Sequence, residues 1–460
     1  MFVPLKTSSN TLLVIAINVA AIIVLMDLSA INIALPIIRE QLDLSIPSVS
    51  LILMASMLSA TGSALVMGKL IELYPPSRIL VLAFSLFGIT TTASAFAPNF
   101  TILIILRFIQ GFAEAALYVI GPALIKKFIA AQAQQKQHGL WMMSTGLGIS
   151  LGPIIGGLLL SLYSWQAIFL INLPLSIIGL IISLYLAKSL KTKSLKASDF
   201  DIKGSIYSFS FLALIIIFFN LIGNKNTTFL ILFVVLGLSL TALFLFIRQE
   251  KNTKNPLFKL QLFTISNFRQ ANIGFFLFFF INVGSRFMRP FFFEETRGFS
   301  TSLSGLLMMI SPAIMLLISF YIDLLEKHFS TKQLVISGNI LLSISMLMFS
   351  FWNEQSSLIF LICSLLILGI AMGIFYPTAA QLGMKSLPQG SYGTGSASIS
   401  ISKSIGKLMG VLIFGLLFQI FFQLLLQHSP LDTQKAIPFV FFVAFIVSLI
   451  NTRFSFHIKP

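Results

Sequence analysis

Between Lys6 and Asp27 the chain carries twenty consecutive residues without a charge, TSSNTLLVIAINVAAIIVLM. About 20 predominantly apolar residues is the length a helix needs to cross a bilayer. Such runs recur along the sequence. Fourteen can be marked: 11–36, 47–68, 78–97, 100–125, 139–162, 165–187, 204–223, 226–248, 270–293, 302–322, 333–351, 357–378, 394–426 and 435–452. In lipid every backbone polar group must be satisfied within its own segment or by a closed barrel. Continuous apolar runs, rather than alternating ones, select helices. The composition agrees: 57% of residues are hydrophobic and only 10% are charged, against about 25% in soluble domains. The expected fold class is an all-α polytopic membrane protein. The first run is read as a retained span, because it is too long for a signal-peptide core and lacks a cleavage pattern.

A net charge of +16 is compatible with nucleic-acid binding. The positive-inside rule accounts for it more simply. With the N-terminus in the cytoplasm, the densest basic stretches, KSLKTKSLK (188–196) and RQEKNTKN (248–255), both fall on the cytoplasmic side, as does the C-terminus. The expected location is the cytoplasmic (inner) membrane, with no nucleic-acid partner. Trp165 and Trp352 are read as outer interfacial anchors, Trp141 as an inner one, and Cys363 as a small buried apolar residue.

A faint repeat runs through the chain. Gly68-Lys69-Leu70-Ile71-Glu72 follows the second run, and Ser319-Phe320-Tyr321-Ile322-Asp323 follows the tenth. The fifth run holds GLGISLGPIIGG (146–157), and the thirteenth holds Gly406, Gly410 and Gly415. The offset of eight runs fits two six-helix halves separated by two extra helices, an arrangement of transporters built from parallel repeats. The expected division is 1–190, 191–260 and 261–460.

Four stretches carry a resemblance. LMDLSAINIALPII (25–38), RFIQGFAEAA (107–116) and GLGISLGPIIGG (146–157) stand in order on the first, fourth and fifth runs. GKLIELYPPSR (68–78) matches a loop motif in part, with Glu72 in place of an aspartate and Pro75-Pro76 in place of Gly-Arg. The chain resembles the major facilitator superfamily, in particular its fourteen-helix drug:proton antiporters (EmrB/QacA-like). That resemblance implies the major facilitator fold, and proton coupling through the matching aspartate and arginine, Asp27 and Arg107. It implies a conformational role for Gly148, Gly152, Pro153, Gly156 and Gly157, on a helix between the two halves. It implies a cytoplasmic gate around Gly68, Glu72 and Arg78, with Asp323 at the repeated position.

The residues support a mechanism on their own terms. Gly148, Gly152 and Gly156 recur every four residues, so they share one helix face. A glycine face lets another backbone approach closely, which is how membrane helices pack. Pro153 removes a backbone donor and bends its helix. Seven ionisable residues lie inside the runs: Asp27, Arg107, Glu114, Arg286, Arg289, Lys403 and Lys407. At about 2.5–3.5 kcal/mol per unpaired central charge they must face partners, water or substrate. Asp27 and Arg107 fall at similar depth, and a carboxylate beside an arginine can release and regain a proton. Glu114 lies two turns from Arg107 on the same face. It is a second proton-coupling candidate and a contact for substrate.

Asn282, Arg286 and Arg289 share a face, as do Lys403 and Lys407. These five residues are candidate substrate ligands. Phe278 to Phe280 and Phe291 to Phe293 are candidates to line an aromatic path. With five cations against two carboxylates, two transport readings stay open. One is proton-coupled export of small amphipathic organic compounds. The other is transport of an organic anion, such as a polycarboxylate siderophore or related metabolite. A non-transporting membrane scaffold is a third reading, disfavoured by the costly buried charges. No phosphate-binding loop, metal spacing or nucleophile–base cluster is present. The chain is read as no enzyme, with no cofactor and no metal; its partners are lipid, protons and a small molecule, and a monomer is expected.

Overall fold

The computed structural model describes residues 7–187, 201–222, 227–253, 260–388, 392–428 and 435–458. Among them every regular element is helical. We number the long helices α1 (Thr7–Gln41), α2 (Ile46–Leu73), α3 (Pro76–Ala95), α4 (Phe100–Phe128), α5 (Ala131–Leu162) and α6 (Gln166–Leu170 continued by Asn172–Leu186). Next come α7 (Ile202–Ile222), α8 (Phe229–Asn252), α9 (Ser266–Phe291), α10 (Thr301–Phe320), α11 (Thr331–Ser350), α12 (Leu358–Lys385), α13 (Tyr392–His428) and α14 (Ala436–Phe456). A π-helical turn, Phe292–Thr296, extends α9, and a short helix, Ile322–Glu326, follows α10. Among the described residues thirteen helices are long and apolar enough to cross a membrane; in α7 the apolar portion, Lys203–Phe219, is shorter. The stretch KSLKTKSLK and the expected boundary at 190–191 lie outside the described residues.

Helix ends follow local chemistry. Ser45, Asn99, Ser300, Ser330 and Ser357 each accept a hydrogen bond from a backbone N–H in the first turn of the helix they precede, which satisfies donors the helix cannot. Pro153 sits inside a continuous α5, and Pro36, Pro122, Pro290, Pro312 and Pro377 lie within their helices likewise.

The packing pairs repeat eight helices apart. α1 packs on α5 and α9 on α13; α2 on α4 and α10 on α12; α3 on α6 and α11 on α14. Two further pairs link the first six helices to the last six, α5 with α10 and α2 with α13. α7 lies against α2 and α13, whereas α8 packs mainly on α7 and is largely exposed.

Glycine explains the closest contacts. A Cβ on Gly148, Gly152 or Gly156 would meet the backbone of α1 at Ile22, Met26 or Ala30. The repeat holds in the other half, where Gly406 and Gly410 face the carbonyls of Phe276 and Phe280 on α9. The ladder on α5 therefore seals within its own half. The contacts across halves are made by its neighbours Gly146, against Leu316 of α10, and Gly157, against Thr301, while Gly305 of α10 faces the Pro153 carbonyl.

The apolar core is divided unevenly. We call the end where α1 begins proximal and the end where it finishes distal. One cluster joins the distal parts of α1 and α2, such as Ala34, Ile38 and Val49, to the core of α9–α14. A second, with Leu13, Ile17, Leu80, Phe84, Leu117 and Trp141, is built only from the proximal part of α1–α6. The two halves thus share a core distally and keep separate cores proximally.

Two expectations are corrected here. Trp141, Trp165 and Trp352 are all buried. They pack inside the helices, Trp352 against Phe292, Phe293, Phe349 and Phe441, rather than anchoring at an interface. A tryptophan at a helix end faces lipid only if no neighbouring helix covers it, and here one does. Cys363 is exposed rather than buried, because it lies on the outward face of α12.

Replacing Gly152 with Val is expected to force α1 and α5 apart. A Cβ there would stand 2.7 Å from the Met26 carbonyl, and overpacking of this kind costs about 1–3 kcal/mol. Thermal unfolding of the purified protein in detergent should show a clear drop in Tm. Gly237→Val, on the open face of α8 with nothing within 4 Å, should leave it unchanged.

Candidate functional site

Arg107 of α4 is the centre of the first charged cluster. It and Asp27 of α1 are wholly buried, and its Nη1 donates to Asp27 Oδ2 at 2.8 Å. The rest of the guanidinium is also used. Nη1 donates to Gln110 Oε1 at 2.8 Å, Nη2 to Ser56 Oγ at 2.8 Å, and Nε to the Ile52 carbonyl at 3.3 Å. Asp27 Oδ1 accepts from Asn172 Nδ2 of α6 at 2.6 Å. Four helices, α1, α2, α4 and α6, thus supply one network. A planar guanidinium holds such a fan of acceptors, which a lysine ammonium cannot.

Glu114, seven residues on from Arg107, faces the same cluster. Its Oε1 lies 3.7 Å from Arg107 Nη2, and neither carboxylate oxygen has a hydrogen-bond partner. The Gln110 Nε2 and Asn172 Oδ1 atoms are also without partners. The cluster therefore holds two carboxylates against one guanidinium, with several polar atoms unused. Buried polar groups in that condition are uncommon in folded proteins.

The second cluster lies in the last six helices. Arg289 of α9 is buried, its Nε and Nη1 have no partner, and its guanidinium stands 5.9 Å from the Phe349 ring centre. Arg289 is thus enclosed within the bundle beside Phe349 of α11. Lys403 Nζ of α13 rests 4.1 Å above the Phe275 ring, and Lys407 Nζ 5.3 Å above Phe279. Phe279 is stacked on Tyr376 of α12, centroids 4.8 Å apart, and Tyr376 Oη accepts from Asn282 Nδ2 at 2.8 Å. Arg286 stands within electrostatic reach of Lys407, Arg289 and Tyr376. Among the described residues no carboxylate lies within 4.0 Å of any of these four cations.

The clusters meet where the halves meet. Asn32 Nδ2 of α1 donates to the Arg286 carbonyl of α9 at 2.8 Å. Farther out, Arg39 of α1 pairs with Glu295 beyond α9. This pair borders a distal cavity of about 470 Å³ lined by Pro36, Glu40, Asp43 and Glu294 among others.

The structure thus brings together Asp27, Arg107 and Glu114, and separately Asn282, Arg286, Arg289, Lys403 and Lys407. The proximal gate residues are not brought together. Arg78 and Asp323 are exposed and make no ion pair among the described residues, Gly68 sits near Val119 of α4, and the Glu72 side chain lies outside the described residues. Of the aromatic candidates, Phe278 and Phe291 to Phe293 are core residues. Phe279 is the one that meets a lysine. Sequence reasoning missed Asn172, Ser56 and Tyr376. A lone polar residue in an apolar run was their only signal.

Comparison with known proteins gives a consistent result. The profile of the Major Facilitator Superfamily matches residues 17–411. The riboflavin transporter RibZ of Clostridioides difficile is 27% identical over 82% of this chain and 81% of its own. A methylenomycin A resistance protein of Bacillus subtilis is 24% identical over 86% and 85%. Among solved structures, a POT family transporter in complex with a thioalcohol-conjugated peptide superposes with a TM-score of 0.71 over 98% of this chain and 97% of that one, at 16% identity; that likeness is one of fold.

Removing one partner of a buried ion pair costs about 3–5 kcal/mol, since the other charge is left uncompensated. Arg107→Met is therefore expected to lower the Tm strongly, and adding Asp27→Asn should restore part of the loss. Two strictly additive losses in thermal unfolding would contradict the pairing.

Proposed function

Because the chain belongs to the Major Facilitator Superfamily, and is thus a membrane transporter rather than an enzyme, we propose that it exports small amphipathic organic compounds in exchange for protons. The observation that carries this reading is the buried cluster of Asp27, Glu114 and Arg107. Two carboxylates and one guanidinium leave an uncompensated negative charge away from water, and desolvated charge is expensive. A proton bound by the carboxylate pair removes that cost. Arg107 and Asn172 hold Asp27 in place, and Glu114 stands one step away on the same guanidinium. Proton uptake and release at this pair is the coupling step.

The positive-inside pattern places the proximal end in the cytoplasm of a cell with both termini inside. On that orientation the shared distal core and the Arg39–Glu295 pair close the outer face, and the separate proximal cores leave the inner face parted. This is an inward-facing state of alternating access. In this reading the chain divides at 1–190, 191–260 and 261–460 into two six-helix halves and a two-helix insertion, and acts as a monomer. The exchange of states breaks the seams α5–α10 and α2–α13. Gly157 and Gly305 make the first of these smooth enough to part. Gly68, Glu72, Arg78 and Asp323 assemble a gate only when the inner face closes.

A second reading is favoured by a separate observation. Among the described residues the four cations of α9 and α13 have no carboxylate within 4.0 Å, which suits an organic anion as the transported species.

Asp27→Asn is expected to abolish substrate-triggered proton movement in liposomes that hold a pH-sensitive dye, because Glu114 alone is then balanced by Arg107 and the cluster no longer calls for a proton. Asp27→Glu should keep part of it. Undiminished flux in Asp27→Asn would remove Asp27 from the coupling step.

A further inference from the structure

The four cations form a column rather than a cluster. Gly406 of α13 lies level with Phe276 of α9, and Gly410 with Phe280. Lys407 therefore stands beside the turn of α9 around Phe279, in keeping with its place over that ring. Lys403 is one turn proximal and Arg286 is about two turns distal of Phe279, roughly 11 Å farther along at 1.5 Å per residue. Arg289 follows. Neighbours along the column sense one another in order, Lys403 with Lys407, Lys407 with Arg286, and Arg286 with Arg289. Like charges so placed repel, and ring faces compensate them only in part. A cation over an aromatic face gains about 0.5–2 kcal/mol, less than the cost of a central membrane charge.

The wall beside the column is built for something flat. Between the lysines and the arginines stand Phe279 and Tyr376, stacked nearly parallel with an 8° angle between their planes. The Tyr376 hydroxyl is held by Asn282. Arg289 is buried with two guanidinium nitrogens unpartnered. The Arg286 backbone is tied to Asn32 of the opposite half, so the column lies at the face where the halves meet.

We propose that this column binds an aromatic organic dianion lengthwise, one acidic group on Lys403 and Lys407, the other on Arg286 and Arg289, and the ring against Phe279 and Tyr376. This rests on the organic-anion reading above and names its substrate class. Two acidic groups neutralise charge at both ends of the column, which a single carboxylate cannot. The Arg39–Glu295 pair and Asp27 are not part of the site.

The test is calorimetric binding to the full-length protein in nanodiscs, without a pH gradient, so that it does not depend on proton coupling. The probes are terephthalate, benzoate and benzyltrimethylammonium, which share a ring and differ in charge. Terephthalate is expected to bind at least tenfold more tightly than benzoate, and benzyltrimethylammonium not at all. Lys407→Ala and Arg286→Ala should each weaken terephthalate tenfold or more, while Lys407→Arg retains binding. A Tm within a few degrees of the unsubstituted protein checks that each variant is folded.

Equal affinities for benzoate and terephthalate would overturn the two-ended site and leave anion transport standing. Binding of the cation without the dianion would overturn both, as would no heat from either anion at millimolar concentration. An unchanged affinity in Lys407→Ala or in Arg286→Ala would also overturn the column.

Discussion

The near-contact of backbones along α1–α5 and α9–α13 is the constraint on which the rest of the structure depends. In a bilayer no hydrophobic force draws helices together, so close packing and buried polar contacts must do it. Gly148, Gly152 and Gly156 bring α5 against α1, and Gly406 and Gly410 bring α13 against α9. Each seam holds a helix that carries buried polar or charged side chains. α1 bears Asp27 and Asn32, and α9 bears Asn282, Arg286 and Arg289. A side chain larger than hydrogen at these glycines would move those groups away from their partners.

On this scaffold the charges are arranged with opposite character in the two halves. The first half holds carboxylates bound to one arginine, Asp27 by a direct bond and Glu114 at 3.7 Å. The second holds cations resting on rings. Asn32 links them through the Arg286 backbone. In the proposed mechanism this separation divides the labour, with protons handled on one side and an anion on the other. Both sites adjoin the face where the halves meet, so a change of charge in one half bears on the packing of the whole.

The division of the core gives the same arrangement a direction. Distal contacts, from Pro47 beside Gly415 to Thr301 beside Gly157, join the halves into one apolar cluster. Proximal residues such as Leu13 and Phe84 pack only within their own half. The extra helix α7 touches both α2 and α13, so it lies beside a seam between halves, whereas α8 faces outward.

Much of this was legible in the sequence. Uncharged runs longer than a bilayer is thick define helices without reference to any neighbour, because lipid leaves the backbone no other way to satisfy itself. The four-residue glycine spacing announced a close backbone contact, and isolated charges in those runs announced a site. Asp27 and Arg107 were paired by their similar depth and by the resemblance of their motifs. What the runs did not contain was the identity of neighbours. That the ladder of α5 seals on α1 while Gly146 and Gly157 reach α10, that Asn172 completes the Asp27 network, that Tyr376 backs Phe279, and that Trp141, Trp165 and Trp352 are covered rather than anchoring, are facts of packing between segments far apart in the chain. Local periodicity states which face of a helix is special. Only the tertiary structure decides what that face meets, because the partner is chosen by shape and charge across the bundle, and the sequence of one helix carries no record of the other.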